Sequence, residues 1–562
     1  MARTAGDRLV ADAVRRTAAR TAALALTATA STAAALLLPA VLGHTLDLLL
    51  ARRGEAPRWV WLCAALILLP AVLDATDDLL TGTTTARATA GLRHRCLRHV
   101  LAVGPRLTGH FAPGDLVTRL VGNAAAVGTA PASLARTVAS VAGPVGGIVG
   151  LGLIDPWLAV TFLAGAPVLA LLLRAFARAS ADSLTAYQRL QGDLAGRLVE
   201  ALGGLRTIAA AGTADRERER ILRPLPGLSQ YGHRMWQVQG RSTAQAATVV
   251  PLLQIAVLAV AGLGLAHGRL SVGDLLAASR YAVLAAGIGM LVGQLNALVH
   301  SRTAAARLAE PLAHAPTAHG TRRLPEGGDG TLRLRGVRAE RGGRHVLRGV
   351  DLDVPGGTTL AVVGRSGTGK SVLAAIAGRL ADPDGGTVTL DGVPLDGLAH
   401  EELRREVGYA FERPALLGGT IGGTIGFGAS LPAPEAVTAA ARAACADDFI
   451  RRLPDGYVTP CADAPLSGGE LQRLGLARAF AHAGRLLVLD DATSSLDSVT
   501  ELKVSRALVH DVTAGTRLIV AHRVTTAARA DRVAWLDGGR IRATGTHEEL
   551  WQRADYRAVF EG

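Results

Sequence analysis

From Thr21 to Gly43 the chain carries no charged residue over 23 positions. As a helix rising ~1.5 Å per residue that stretch reaches about 34 Å, enough to cross a hydrocarbon core of about 30 Å. A lipid-embedded segment narrows the choice of fold, because every backbone amide in it must bond within its own helix or a closed barrel. The stretch is too long for the apolar part of a usual signal peptide and more apolar segments follow, so it reads as a permanent anchor. Six spans are expected in all, at about 21–43, 59–80, 133–154, 157–176, 244–266 and 275–299. The second meets Asp74, Asp77 and Asp78 after only 15 apolar residues, which suits a helix that leaves the bilayer there and continues into water. Segments 81–132 and 174–243 are polar and helical in pattern, and the alternating charges of Asp215–Arg220 fit a solvated face.

Arginine placement orients these spans. With the N-terminus inside, the inner segments before the last span hold 23 arginines and the outer loops four, Arg52, Arg53, Arg58 and Arg269. Trp59, Trp61 and Trp157 then fall at the outer interface, where indole rings prefer to lie. The net charge of +13 follows this topology and does not argue for nucleic acid as a partner. A mean hydropathy of +0.28 excludes a disordered or fibrous chain. Four cysteines lie far apart without a paired spacing, which indicates neither a zinc site nor a disulfide framework. Only two of the 60 basic residues are lysine, Lys370 and Lys503, so each position that keeps one merits inspection.

After a Pro-, Gly- and His-rich linker at 309–330 the text changes to that of a soluble domain, 331–562, following a membrane domain at 1–308. Leu360–Val363 is a short apolar strand. It runs into Gly364-Arg365-Ser366-Gly367-Thr368-Gly369-Lys370-Ser371, and a helix begins at about Val372. This is G-x-x-x-x-G-K-S in a strand, loop, helix setting. Glycines let the backbone wrap a phosphate chain with N–H groups inward, Lys370 reaches the β- and γ-phosphates, and Ser371 can ligate Mg²⁺. Downstream, Arg485–Asp490 is an apolar strand ending in a carboxylate suited to the same Mg²⁺, and Asp491 comes directly after it. Between the two lies Leu466-Ser467-Gly468-Gly469-Glu470, a small-residue helix start whose free N–H groups suit an anion. His522 closes a further strand at Arg517–Ala521.

In this order the motifs resemble the ATP-binding cassette family, specifically a bacterial half-transporter of the exporter type. Such a chain has a six-helix all-α transmembrane domain followed by an α/β P-loop ATPase domain. In the family's pattern Gly364–Ser371 matches Walker A, Leu466–Glu470 the signature, Asp490 Walker B, Ser495–Asp497 the D-loop and His522 the switch histidine. Gly114–Leu120, Glu200–Ile208 and Gly268–Asp274 look like exporter phrases of the membrane domain. The resemblance implies ATP and Mg²⁺ as cofactors, the cytoplasmic membrane as location, and a second half-transporter as partner. Each ATP would lie between the Walker motifs of one chain and the signature of the other, including Ser467, Gly468 and Gly469 here. Closure around the nucleotides would rock the membrane helices, and hydrolysis would reset them.

Departures from that pattern carry the most information. Asp491 stands where efficient members have a glutamate that polarises the attacking water. Loss of one methylene draws the carboxylate back by roughly 1.5 Å, and a misplacement of about 1 Å can cost on the order of 10²-fold in rate. Glu412 takes the place of the Q-loop glutamine, as a catalytic or Mg²⁺-binding carboxylate. Arg341 stands where an adenine-stacking aromatic is usual, and its planar guanidinium can stack instead. The stretch Thr459–Pro465, which in exporters touches the partner's inner loops, is shortened. With signature, D-loop and His522 intact, the expectation is the slow-site half of a heterodimeric exporter. The alternatives are a homodimer that tolerates Asp491, an ATP-binding regulatory half, and an importer with an exporter-type fold. Small molecule, peptide or lipid all remain open as cargo, and Asp74, Asp78 and Arg280 are the intramembrane charges that bear on it.

Overall fold

A computed structural model describes residues 2–561 as two compact units. One comprises the chain up to Ala102 and from His110 to Ala315; the other is Pro316–Gly562 together with Val103–Gly109. The first unit is all helical. Its main elements are α1 (Ala2–Arg16), α2 (Ala18–Leu50), α3 (Ala56–Val103), α4 (Ala130–Ile154), α5 (Pro156–Gly203), α6 (Leu225–Ala266), α7 (Val272–Ala285) and α8 (Ile288–Leu312). Helix α3 runs unbroken through Asp74, Asp77 and Asp78, as a span that continues past the bilayer must. By length and apolar composition four stretches qualify as spans among the described residues: Ala18–Leu50, Ala56–Arg106, Pro113–Ile154 and Ala247–Ala266; Pro156–Gly165 is a shorter apolar one. The expected count of six is therefore not reached by this measure. The sixth expected span, 275–299, is in fact two helices parted at Ala286 and Gly287, where a glycine with ψ of 6° ends the helical run.

Small residues let these helices approach closely in a solvent that offers no hydrophobic drive between them. A Cβ added at Gly147 of α4 would meet the Ala285 amide at 2.7 Å, and one at Gly150 the Tyr281 ring at 2.6 Å. The Tyr281 hydroxyl then donates to the Leu36 carbonyl of α2 at 2.9 Å. At the outer ends α2 and α7 cross backbone to backbone: a Cβ on Gly43 would lie 2.4 Å from the Gly273 carbonyl oxygen. Asp47 of α2 locks that crossing, accepting from the Gly273 amide at 2.8 Å and the Ser271 hydroxyl at 2.6 Å. Ser271 and Asp274 also form a capping box on α7, so the first polar groups of this helix start are satisfied locally.

The carboxylates of α3 are paired across helices. Asp77 is buried and receives Arg136 of α4 at 2.8 Å and the Thr27 hydroxyl at 3.2 Å. Asp78 also takes Arg136, at 2.8 Å, and Ser31 donates to Asp74 at 2.8 Å. These contacts favour a bracing role for Asp74 and Asp78 over a direct role with cargo.

The second unit has a six-stranded sheet in the order β10-β9-β3-β8-β7-β6 and a four-stranded antiparallel sheet in the order β2-β1-β4-β5. Their strands are β1 (Leu332–Arg341), β2 (Arg344–Val354), β3 (Thr359–Val363), β4 (Gly385–Leu390), β5 (Val393–Pro394), β6 (Val407–Phe411), β7 (Leu486–Asp490), β8 (Thr516–Val520), β9 (Arg532–Asp537) and β10 (Arg540–Gly545). Strand β3 is buried at all five positions, as expected of a parallel strand covered on both faces. The expected linker is shorter than 309–330, because α8 continues to Leu312 and the chain beyond it is pinned to the second unit. Arg379 donates to the Ala318 carbonyl and to His319, and the Arg322 amide bonds the Gly397 carbonyl at 2.9 Å.

Substituting Gly273→Val drives a branched side chain into the Gly43 backbone and is expected to destabilise the membrane unit by about 1–3 kcal/mol or more. Gly262→Val enters open space and serves as the control. Melting of the two variants in detergent measures the difference; equal melting would show that the helices do not cross this closely.

Candidate nucleotide-binding site

Register in the parallel sheet assembles the site. Phe411 of β6 pairs with Asp490 of β7, Asp490 with Val520 of β8, and Val520 with Val362 of β3. Four strands therefore end level, and their continuations, Glu412, Asp491, His522 and the loop from Gly364, emerge at one edge. In open α/β sheets ligands bind at this carboxyl edge. Helix α9 (Lys370–Ala377) begins directly after the loop, and the amides of Lys370, Ser371 and Val372 have no acceptor inside their own helix. Gly367 and Gly369 adopt left-handed φ of 80° and 103°, which side chains resist, and that conformation curls the loop. Val346 from the hairpin side packs against Gly369, 2.8 Å from where a Cβ would sit.

Lys370 is 5% exposed, and its ammonium bonds the loop's own carbonyls, Gly364 at 2.7 Å and Arg365 at 3.1 Å. Burial pushes its pKa down, while Asp491 and Asp490 pull it back up. Thr368 caps the same Arg365 carbonyl through its hydroxyl at 2.8 Å. The Ser371 hydroxyl lies near enough to Asp490 to favour its ionised form. Burial raises the Asp490 carboxyl, nearby Glu412 adds to that, and Ser371, His522 and Lys370 act against it. Asp491 is raised in the same way, by burial first, with Glu412 and Asp490 adding and His522 and Lys370 opposing. Three carboxylates thus face one lysine and one histidine. The backbone of Asp491 is left-handed at φ 52°, a conformation that Asp tolerates better than most residues.

The donor set fits Mg²⁺. Asp490 Oδ1 is buried without a hydrogen-bond partner, and the Ser371 hydroxyl acts on the same carboxylate. Among the described residues no group of three His, Cys, Asp or Glu could hold a metal unaided. That agrees with the habit of Mg²⁺, which takes one or two protein oxygens and completes its shell with phosphate and water.

The signature opens helix α10 (Gly468–Ala481). Ser467 is its N-cap, accepting from the Glu470 amide at 3.3 Å while the Glu470 carboxylate takes the Ser467 amide and hydroxyl, each at 2.8 Å. The Ser467 amide bond holds Glu470 below the usual carboxylate range. Gly469 lies against the Ser495 carbonyl, 3.2 Å from an added Cβ. No hydrogen bond or ion pair joins 466–470 to the loop 364–371 among the described residues. Arg341 is likewise away from that loop: it bonds the Glu340 carbonyl at 2.7 Å and pairs with Asp384 at 3.6 Å. Glu412 has an exposed side chain near Arg413, and its carbonyl is the part engaged by the fold.

Two residues that no motif singles out tie these parts together. Gln472 is buried, and its amide group makes three bonds: to the Glu412 carbonyl at 3.0 Å, to the Ser494 hydroxyl at 2.9 Å, and from the Ser495 amide at 2.8 Å. Arg523, next to His522, reaches the Ser494 and Leu496 carbonyls at 3.1 and 3.3 Å and pairs with buried Glu501 at 2.5 Å. The only sequence signal was a polar residue on the buried face of a helix. Gln472→Leu strands a buried amide and a carbonyl at about 1–3 kcal/mol. ATP turnover is expected to fall about tenfold or more, with nucleotide affinity at the Lys370 loop nearly unchanged; equal loss of both would make Gln472 part of the general core.

Comparison with known proteins agrees with this geometry. The family model for the ABC transporter transmembrane region matches residues 21–286, and the model described as ABC transporter matches 347–494. An ABC transporter ATP-binding protein, RamA, from Streptomyces coelicolor is 56% identical over 93% of this chain and 82% of its own length. An ATP-dependent lipid A-core flippase from Chromohalobacter salexigens is 32% identical over 82% of this chain and 80% of its own. A bacterial Atm1-family ABC exporter solved with ATP bound has the same fold, with a TM-score of 0.79 over 98% of both chains at 23% identity. The chain therefore belongs to the ABC transporter family, with the transmembrane region and the ATP-binding domain fused in one membrane-spanning polypeptide.

Proposed function

We propose that this chain is one half of an ATP-driven exporter and that it pairs with a second, different half-transporter. Its own Walker face binds Mg-ATP and cleaves it slowly, and its signature completes a faster site on the partner. The observation that carries this reading is Asp491, the residue that extends the Walker B strand into the Lys370–His522 cluster. A glutamate there would reach one methylene further toward the attacking water, and proton abstraction depends on that reach. Support for an intact signature comes from the complete capping box at Ser467, which leaves the Gly468 and Gly469 amides free for an anion.

In this mechanism the loop 364–371 and the start of α9 hold the phosphates, Lys370 turning from its own carbonyls to them. Mg²⁺, when bound with the triphosphate, neutralises charge developing on the phosphoryl oxygens. Asp490 and Ser371 would hold it, with Glu412 as a further candidate ligand; His522 would steady the terminal phosphate, and Asp491 would orient water weakly. Arg341 exchanges Asp384 for the face of the base. Export rather than import is supported by the likeness to the lipid A-core flippase and by the order of membrane domain and ATPase.

Three outcomes test this. The chain alone is expected to hydrolyse ATP slowly and to gain turnover with a second half-transporter, in which Ser467→Arg lowers activity about 10²-fold but Asp491→Asn changes it by less than about threefold. Vigorous hydrolysis by the chain alone, abolished by Asp491→Ala, would overturn the asymmetric reading. Because burial raises Asp490, its protonated form persists to higher pH than for an ordinary Asp, and Mg²⁺ needs the ionised form. ATP affinity with Mg²⁺ is expected to fall as pH is lowered through that raised value, more steeply than affinity without it, and Asp490→Asn removes the step. A carboxyl raised by folding stabilises at low pH, and that contribution is lost as pH rises through its folded value. Asp490→Asn is accordingly expected to raise the melting temperature of the nucleotide-free protein at pH 7.5.

A further inference from the structure

The membrane unit contains a cavity of about 430 Å³ between α2, α3 and α7, within the size range of small-molecule sites. Its wall is aliphatic except for one side chain, Arg280. The carboxylates at the depth of this cavity and beside it are paired, Asp77 and Asp78 with Arg136, Asp74 with Ser31, and Asp47 with Ser271 and Gly273. Arg280 lines the cavity as an exposed residue, and among the described residues no hydrogen bond or ion pair satisfies it. An arginine at the centre of a membrane helix costs about 2.5–3.5 kcal/mol on insertion scales, and such a residue without a partner points to a ligand.

A second feature of the wall is backbone. Pro39 and Pro70 lie inside α2 and α3, and each lacks the N–H that would bond the carbonyl four residues earlier. Those carbonyls belong to Ala35 and Leu66, and both residues line the cavity along with the two prolines. One unpaired cation and two freed acceptors are thus set in an apolar wall. With α7 starting at Val272, Arg280 lies eight residues in, roughly 12 Å along the axis. With the N-terminus inside, that is the outer half of the membrane. A bilayer phospholipid keeps its phosphate at the interface, so a charge at this depth suits a molecule in passage better than a resident lipid.

We infer that this cavity binds an anionic amphiphile as cargo, its carboxylate or phosphate on Arg280 and its aliphatic body along α2 and α3. Hydroxyl or amide donors of the same molecule meet the Ala35 and Leu66 carbonyls. The inference rests on the exporter reading above and names the chemical class of its cargo.

The test is binding of radiolabelled dodecyl phosphate to the full-length chain in phosphatidylcholine nanodiscs. Saturable binding is expected, displaced by dodecanoate and not by dodecyltrimethylammonium. Arg280→Gln is expected to weaken it about tenfold or more, and Arg280→Lys to retain it within about threefold. Leu284→Trp fills the cavity without touching the charge and is expected to abolish binding, with unchanged melting showing that the fold is intact. Binding that survives both Arg280→Gln and Leu284→Trp, or that dodecyltrimethylammonium displaces equally, overturns the proposal. Displacement by phosphatidylglycerol built into the discs also overturns it, by assigning the cavity to a resident acidic lipid. Lys370→Ala separates the two readings: it stops ATP-driven movement if the exporter reading holds and leaves dodecyl phosphate binding unchanged.

Discussion

Level strand ends in one parallel sheet are the constraint on which the rest of the ATPase unit depends. Phe411, Asp490, Val520 and Val362 share a register, and a slip of one residue in any strand would turn its terminal side chain to the other face. Because they are level, a lysine from a loop, carboxylates from two strand ends and a histidine from a third meet without any long reach. Partial burial of Asp490 and Asp491, with more carboxylates than cations around them, raises both carboxyls, and Asp490 Oδ1 has no hydrogen-bond partner.

The membrane unit solves a different problem with the same economy. Without a hydrophobic drive between helices, it relies on close backbone approach and on polar groups that satisfy one another. Gly147 and Gly150 admit α7, Asp77 holds Arg136, and Asp47 caps the start of α7. Arg280 lines an otherwise aliphatic cavity and takes no part in this scheme.

Much of this was legible in the sequence. Charge-free stretches marked long apolar helices, and G-x-x-x-x-G-K-S marked the turn between β3 and α9, because its left-handed positions need glycine. Asp490 and His522 were legible too, each closing an apolar strand. Less visible was anything set by tertiary contact. The break at Gly287 was hidden because the apolar run continues across it. The docking of the linker was hidden because Arg379 looks like any other of the chain's many arginines. Gln472 and Arg523 escaped because their value lies in which loops they join, and pairing across 22 or more residues leaves no local pattern. The packing of Val346 against Gly369 was likewise hidden, because it joins the hairpin to a loop more than 20 residues away.

The crossing of Gly43 over Gly273 has a consequence for motion. Two backbones this near, pinned by a carboxylate on a helix start, have no side-chain layer to slide on, so the outer ends of α2 and α7 travel as a single strut. Any widening of the extracellular mouth must swing that strut whole, and the flexible points lie deeper, at the prolines of α2 and α3 and the glycine that divides α7 from α8. Opening is thereby converted into bending at mid-depth, beside the cavity that holds Arg280.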